Sequence, residues 1–401
     1  MTNEASGTTV PGSLVAFAQL RVVELGQWIA APAASALFAD LGADVIKVEP
    51  PRGDPGRRWF KSIGLDVGIQ PTFALDNRRK RSVVLDLAEE ADRAGLDKLL
   101  ETADVLITNM RITTLKRLGL DHETVLAAHP HLVYGSITAF GLAGPDAEQP
   151  GFDVGSFWAR SGLSHQLAGD APLHAPGSYG DHITGLALFA AVMAGLYERS
   201  RTGRGGLVET SLLQAASWIL GPDLAVLSAF GKVHPVAHRS EAVTPLVNSY
   251  RTADDKWIFL TGVEAMRHFP AVCAAVGHPE LVDDPRFADA QSIRKNRRDL
   301  IAILDAAFAQ ASYDEWARRL DEAGAWWQKV NTPAEVLEDP QLAANGWIED
   351  VEVAPGRSVR MLTRPVTVFG HRELNVARAP EHGQDNSRLL SGSDTPALAP
   401  D

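Results

Sequence analysis

The feature that most constrains this chain is an alternation of short apolar strands and helical stretches that begins at Arg21. RVVEL (21–25) reads as a strand, AASALFADLG after the loop GQWIAAP reads as a helix closing at Gly42, and DVIKVE (44–49) reads as a second strand. Strand, short helix and strand in so few residues make a βαβ unit, whose two strands lie parallel because the helix carries the chain back. The pattern continues with strand SVVLDL (82–87), helix 89–102, strand DVLITN (104–109), a helical stretch to about Ala128 and strand HLVYGSI (131–137). This spacing predicts an α/β fold with a doubly wound parallel sheet.

From Gly141 to Tyr179 the pattern lapses into a long connection rich in Gly, Pro and Asp, and such connections in compact folds usually carry function. A nearly unbroken apolar helix follows over 181–199, then strand LVETSL (207–212) and a helix to about Leu227. KWIFLTG (256–262) opens a different character, a strand followed by amphipathic helices near 264–276, 297–310 and 312–323. These shifts predict a large α/β domain over 1–230, a smaller α+β domain over 245–335, and linkers at 230–245 and 335–345. Strand-like alternation returns in VEVAPGRSVRMLTRPVTVFG (351–370), so 345–401 is expected to complete the large domain, with an extended surface tail after His371.

Composition narrows the function. The net charge of −12 argues against nucleic acid or an anionic membrane as partner. The charge is uneven: residues 1–120 hold fifteen cationic and fifteen acidic side chains, so the deficit falls on the rest and an anionic small ligand fits best against the first third. Cys273 is the lone cysteine, which rules out an internal disulfide and any cysteine-based metal site, and fits a cytoplasmic protein. The opening MTNEASGTTVPGS has no basic and no apolar region of a signal peptide, and the run Ile183–Tyr197 is shorter than a bilayer requires, so it is expected to be a core helix rather than a membrane span.

Common cofactor and hydrolase motifs are missing. No G-x-G-x-x-G follows RVVEL, and no phosphate-loop signature, H-E-x-x-H or G-x-S-x-G occurs, so neither a dinucleotide fold, a P-loop ATPase, a zinc site nor an α/β-hydrolase is expected, and no prosthetic group. The basic run RRKR (78–81) reads either as a solvated turn before a strand or as a phosphate contact. Asp181, at the mouth of the apolar helix after GSYG, reads either as the helix cap, bonding amides near Ile183 or Thr184, or as a carboxylate presented for chemistry. Phe157, Trp158, Trp326 and Trp327 are either core aromatics or the walls of a roomy pocket.

Several ordered segments carry a resemblance: RVVELGQWIAAPAASALFADLGADVIKVEPPRGDPGRRW (21–59), NRRKRSVVLDL (77–87), ADVLITNMR with LKRLGL (103–120), GPDAEQPGFD (144–153), GDHITG (180–185), ERSRTGRGGLVETSLL (198–213) and VNTPAEVLEDPQLAANGW (330–347). Together they resemble the class III CoA-transferases, the family of formyl-CoA, L-carnitine and bile-acid CoA-transferases, whose racemase branch includes α-methylacyl-CoA racemase. The resemblance implies a Rossmann-like large domain, a smaller domain and an interlocked homodimer. It implies coenzyme A esters and carboxylic acids as substrates, and makes the aspartate matching Asp181 the nucleophile. That carboxylate attacks the thioester to give an acyl-aspartyl anhydride and CoA thiolate, which then forms an aspartyl-CoA thioester that the acceptor acid attacks. The positive end of the helix is expected to keep Asp181 ionised at neutral pH, and Gly180 and Gly185 to let the backbone approach the reacting groups.

By family position, Gln27, Trp28, Ile29 and Ala30 line the thioester end, Leu85 lies along the adenine side, Asn109, Met110 and Arg111 follow a strand end, and Arg117 meets phosphate. Trp28 has core packing as its other reading, and the two arginines a solvated helix face. Phe152, Asp153 and Gly180 complete the set, with no metal ligand. Four departures stand out. Phe152 occupies the place of the racemase histidine, which favours transfer over epimerisation. Ile29 replaces a glutamine of formyl-CoA transferase, which disfavours oxalate-like acids. LTGVEAMRHF (260–269) stands where that enzyme has a glycine-rich shielding loop, and NMRIT replaces Asn-x-Arg-Pro-Gly. The leading expectation is a CoA-transferase. The alternatives are an acyl-CoA epimerase and a non-catalytic acyl-CoA-binding protein.

Overall fold

A computed structural model describes residues 17–65, 68–168, 171–233, 238–368 and 377–391. The described residues fall into two compact units, one from those within 17–165, 174–231 and 340–391, the other from those within 166–173 and 232–339.

The first unit begins with β1 (Arg21–Leu25), α1 (Ala30–Asp40), β2 (Asp44–Glu49), α2 (Trp59–Ser62), α3 (Pro71–Asn77), β3 (Arg81–Val84), α4 (Glu90–Glu101), β4 (Val105–Thr108), α5 (Ile112–Leu118), α6 (His122–Ala128) and β5 (Val133–Thr138). The long connection contains a π-helical turn, Val154–Ala159, and the short α7 (Leu163–Gln166) before α8 (Tyr179–Thr202), β6 (Gly206–Ser211), α9 (Leu212–Ile219) and α10 (Gly221–Phe230). The six strands run in the order β3-β2-β1-β4-β5-β6 and every pairing is parallel. Strands β1 and β4 are buried on both faces, as central strands of a doubly wound sheet must be. One face carries α1 and α8 around Val22, Phe38, Leu188 and Val192. The other carries α4, α5 and α6 around Leu96, Leu100, Leu115 and Val125.

Helix α8 has 24 residues, and its length and composition alone would admit a membrane span. Its inner side is packed, however: Thr184 and Leu188 are fully buried. A Cβ at Gly185 would stand 2.8 Å from Ala30 O and 3.2 Å from Ala33 Cβ, so glycine is what lets α1 and α8 touch along their backbones. The helix expected to run to Leu227 is two helices, α9 and α10, bent by 63°.

In the first unit, β10 (Ile348–Ala354) and β11 (Arg357–Leu362) form a hairpin whose Val351 and Met361 pack on Ala74 of α3. The tail is more than an extended strand. Asp385 Oδ2 accepts from Ser82 N at 2.9 Å and Asn386 Oδ1 from Val84 N at 2.8 Å, so this segment covers the open edge of β3. Residues 369–376 and 392–401 of that tail lie outside the described residues.

The second unit is an antiparallel sheet, β7 (Val247–Arg251), β8 (Trp257–Thr261) and β9 (Trp327–Lys329), with helices over Ala265–Ala275, Arg297–Phe308 and Tyr313–Glu322. Its core gathers Tyr250, Phe269, Phe308 and Trp316. The buried Trp316 indole donates to Phe308 O at 2.8 Å, which satisfies its one polar atom.

Candidate active site

The strand order reverses between β1 and β4, and in open α/β sheets ligands bind beyond the strand ends at such a switch point. The loops leaving these two strands are tied to each other by Asn109. Its Oδ1 accepts from Gln27 N at 3.0 Å and its Nδ2 donates to Gln27 O at 2.8 Å. Asn109 is thus a brace between loops, with half of its amide capacity already used.

The next residue, Trp28, has φ +66°, a left-handed conformation costly for a bulky side chain. A group of buried charges holds it there. Trp28 N donates to Asp54 Oδ1 at 3.2 Å, and Asp54 pairs with Lys47 at 2.9 Å. Lys47 also donates to Gly26 O at 3.1 Å and pairs with Glu24 Oε1 at 2.7 Å, while Lys80 takes Glu24 Oε2 at 2.7 Å and donates to Pro32 O at 2.9 Å. The side chains of Glu24, Lys47 and Lys80 are fully buried. Burial by itself raises a carboxyl pKa, yet the two ammonium groups win and the Glu24 carboxyl lies below its usual range. The same burial, set against Glu24, brings Lys80 down to about 8.

The Trp28 ring meets Trp59 edge-on at 5.6 Å and Phe152 edge-on at 6.2 Å. Phe152 is 65% exposed and Trp59 43%, so this aromatic corner is open to a ligand.

Asp181 stands one turn before the Gly185 contact with α1. It is not the helix cap. Helix α8 starts at Tyr179 after Ser178, which puts Asp181 in the first turn. The amide of Gly180 is taken by Asp153 instead, with Oδ2 at 3.1 Å. A Cβ at Gly180 would fall 2.3 Å from Phe157 Cγ and 2.7 Å from Asp153 Oδ1, so this glycine is needed for the connection to close onto the helix start. Asp153 is therefore buried beneath the helix start rather than offered to a ligand. Among the described residues, the Asp181 carboxylate accepts no hydrogen bond. Burial, and then the charge of Asp153, push its pKa up to about 7 despite the helix terminus and the neighbouring His182. This moderates the expectation of a carboxylate ionised at neutral pH, since a single helix end is a weaker influence than burial beside a second acid.

The other expected site residues scatter. Ile29 is half-buried just before α1 and Ala30 is buried in its first turn. Leu85 is 1% exposed in the core, with no side-chain surface turned outward. Met110 packs partly against the same core. Arg111 and Arg117 are exposed at the two ends of α5, and neither makes an ion pair among the described residues. The RRKR run is neither a solvated turn nor a free anion site: Arg78 grips Asp40, Lys80 joins Glu24 and Arg81 pairs with Asp44. Phe157 is core, packed with Leu163 and Ala216. Sequence reasoning missed the Glu24–Lys47–Asp54 group and the Asp76–His182 pair. The signal for the first was charged residues inside apolar strands, in RVVEL and DVIKVE. Among the described residues no cluster of His, Cys, Asp and Glu could hold a metal ion.

Comparison with known proteins agrees with this layout. The pattern of CoA-transferase family III matches residues 17–386. The (R)-2-hydroxy-4-methylpentanoate CoA-transferase of Clostridioides difficile is 30% identical over 376 residues, 92% of this chain and 94% of that protein. The cinnamoyl-CoA:phenyllactate CoA-transferase of Clostridium sporogenes is 33% identical over 375 residues, 92% and 89% of the two chains. A crystal structure of a CAIB/BAIF family protein from Brucella suis superposes with TM-score 0.80 at 29% identity, covering 94% of this chain and 98% of the other. The chain belongs to the class III CoA-transferase family. It is an enzyme of that class, and acyl-CoA is the substrate such enzymes share.

Proposed function

We propose that this enzyme moves CoA from an acyl-CoA to a free carboxylic acid through covalent intermediates on Asp181. The observation that carries the reading is the Asp181 carboxylate itself, partly buried, accepting no hydrogen bond among the described residues, and set beside the α1–α8 contact next to the switch-point loops. In the first step a carboxylate oxygen adds to the thioester carbonyl, the C–S bond breaks, and CoA leaves as thiolate with an acyl-aspartyl anhydride behind it. The thiolate then attacks the aspartyl carbonyl, the acyl group departs as a carboxylate, and an aspartyl-CoA thioester remains. The acceptor carboxylate attacks that thioester, forming a second anhydride and freeing the thiolate. The thiolate finally attacks the acceptor's carbonyl, giving the new acyl-CoA and restoring Asp181. Each intermediate stays activated, so thioester energy is passed on without hydrolysis. Oxyanions form at every step, and the amides of Ala30 and Ala31 at the start of α1, where Ile29 supplies no side-chain cap, suit them.

The open corner of Trp28, Trp59 and Phe152 suits a bulky apolar acyl group better than a small dicarboxylate. Arg111 and Arg117 are the candidates for CoA phosphates. A second copy of the chain is the proposed partner, because Trp218, Phe230 and Tyr197 are 85%, 73% and 66% exposed. A cytoplasmic enzyme acting without nucleic acid or membrane completes the reading, with Cys273 a buried inert thiol pushed up to about 12 by burial.

The test is a screen of acyl-CoA donors and acids, starting with cinnamoyl-CoA and phenyllactate, with mass spectrometry of the Asp181 peptide. A CoA adduct on that peptide, and loss of at least a thousandfold in transfer for Asp181→Ala, is the expected result (on the order of 10³ or more for a lost nucleophile). Near-normal transfer by a folded Asp181→Ala enzyme ends the proposal.

A further inference from the structure

Three carboxylates gather at the start of α8: Asp181, Asp153 and Asp76. Such a group needs a cation, and the basic residues nearby are mostly committed elsewhere. Arg78 gives Nε and Nη2 to Asp40 at 2.9 and 2.5 Å and Nη1 to Leu75 O at 2.7 Å. Lys80, close enough to feel the charge of Asp76, is bonded to Glu24 and Asn77. His182 remains. Its Nε2 lies 3.0 Å from Asp76 Oδ1, the one hydrogen bond of the Asp76 carboxylate among the described residues. The Asp76 side chain is 6% exposed and that of His182 43%. A carboxylate so buried, with an imidazole as its direct partner, favours the imidazolium.

We propose that His182, clamped by Asp76, is the positioning cation that governs whether the Asp181 carboxylate is charged, and so sets the lower pH limit of transfer. The inference rests on the reading of Asp181 as nucleophile, because only then does that charge matter to the reaction. The bond to Asp76 raises the His182 pKa, with burial opposing and the charge of Asp181 adding to it. Among the described side chains, His182 is the one whose charge pulls the Asp181 carboxyl down, whereas burial, Asp153 and Asp76 push it up. His182 itself touches no reacting atom in this role. It acts by field, from the residue next to the nucleophile.

The test reads the ionisation of Asp181 without needing the substrate. The full-length protein is treated with a carbodiimide and glycine ethyl ester, which modify protonated carboxyls, and labelling of the Asp181 peptide is followed against pH by mass spectrometry. His182→Gln is expected to move the labelling midpoint up by roughly one unit, the low end of what a nearby opposite charge does. His182→Arg, a permanent cation, is expected to leave it at or below the wild-type value. An unmoved midpoint in His182→Gln overturns the proposal. Should that variant fail to fold, histidine NMR of the unmodified protein decides: a His182 imidazole that is neutral throughout the pH range in which Asp181 titrates also overturns it. Transfer by Asp181→Ala is measured separately. A dead Asp181→Ala enzyme with an unmoved midpoint defeats the role of His182 alone, and surviving transfer defeats the nucleophile.

Discussion

Two places in the first unit take charge out of water, and they do so differently. Around Glu24, each buried charge meets an opposite one: Lys47 and Lys80 on the two carboxylate oxygens, Ser35 on one of them, and Asp54 on Lys47. Around Asp181 the count is reversed, with three carboxylates facing one imidazole. Desolvation is the largest influence on both Glu24 and Asp181 and acts in the same direction, yet the first carboxyl ends below its usual range and the second near 7. What separates them is partners, not depth. A paired charge becomes part of the scaffold, here the brace that holds Trp28 in its left-handed turn. An unpaired one stays chemically available, and the folded state is less stable for keeping it.

Breaking the paired group should produce the largest effect. Lys47→Met leaves Asp54 without its cation and Glu24 with Lys80 alone, and losing one partner of a buried pair costs about 3–5 kcal/mol. Denaturant unfolding should show this loss, and a change below about 1 kcal/mol would mean that the charges there are hydrated rather than paired. The unpaired site should respond with the opposite sign. The Asp181 carboxyl keeps its proton to about 7 when folded, against an ordinary 3.8. A raised carboxyl of this kind contributes stability in full below its unfolded pKa and loses it as pH rises through the folded one. Asp181→Asn, neutral throughout, should therefore match the wild type below pH 4 and be more stable by about 1–3 kcal/mol above pH 7, allowing for partial exposure. Thermal melts at pH 4 and pH 8 test this, and an Asn variant no more stable at pH 8 would show that Asp181 is ionised at no cost.

The contrast also explains what could be read in advance. The alternation of strands and helices that makes the parallel sheet was legible because it follows from apolar periodicity, which each local segment displays by itself. Asp181 was singled out only through its surroundings in the chain, GSYG before it and HITG after it, and through the family resemblance of that segment. Its protonation was not legible, since that depends on Asp153 and Asp76, 28 and 105 positions away in sequence. RRKR misled for the same reason. Its partners Asp40, Glu24 and Asp44 lie on other strands and helices, so a run that looks like surface charge is interior ion pairing. The cap reading of Asp181 failed because the helix already starts at Tyr179, two residues earlier, with Asp153 on the Gly180 amide.

A third kind of charge sharpens the comparison at its weak end. Arg117 is exposed in the last turn of α5 and pairs with nothing among the described residues. It is neither scaffold nor a burdened group, so its removal should barely touch the fold: Arg117→Ala should change stability by no more than about 0.5 kcal/mol. If it meets a phosphate of CoA, the loss appears elsewhere, as a KM for acyl-CoA raised about tenfold with kcat little altered, because that contact is the same in ground and transition states. The increase should shrink as salt is added, since an exposed charge pair is screened. An unchanged KM at low salt would return Arg117 to the solvated helix face and leave Arg111, at the other end of the same helix, as the remaining phosphate partner to test.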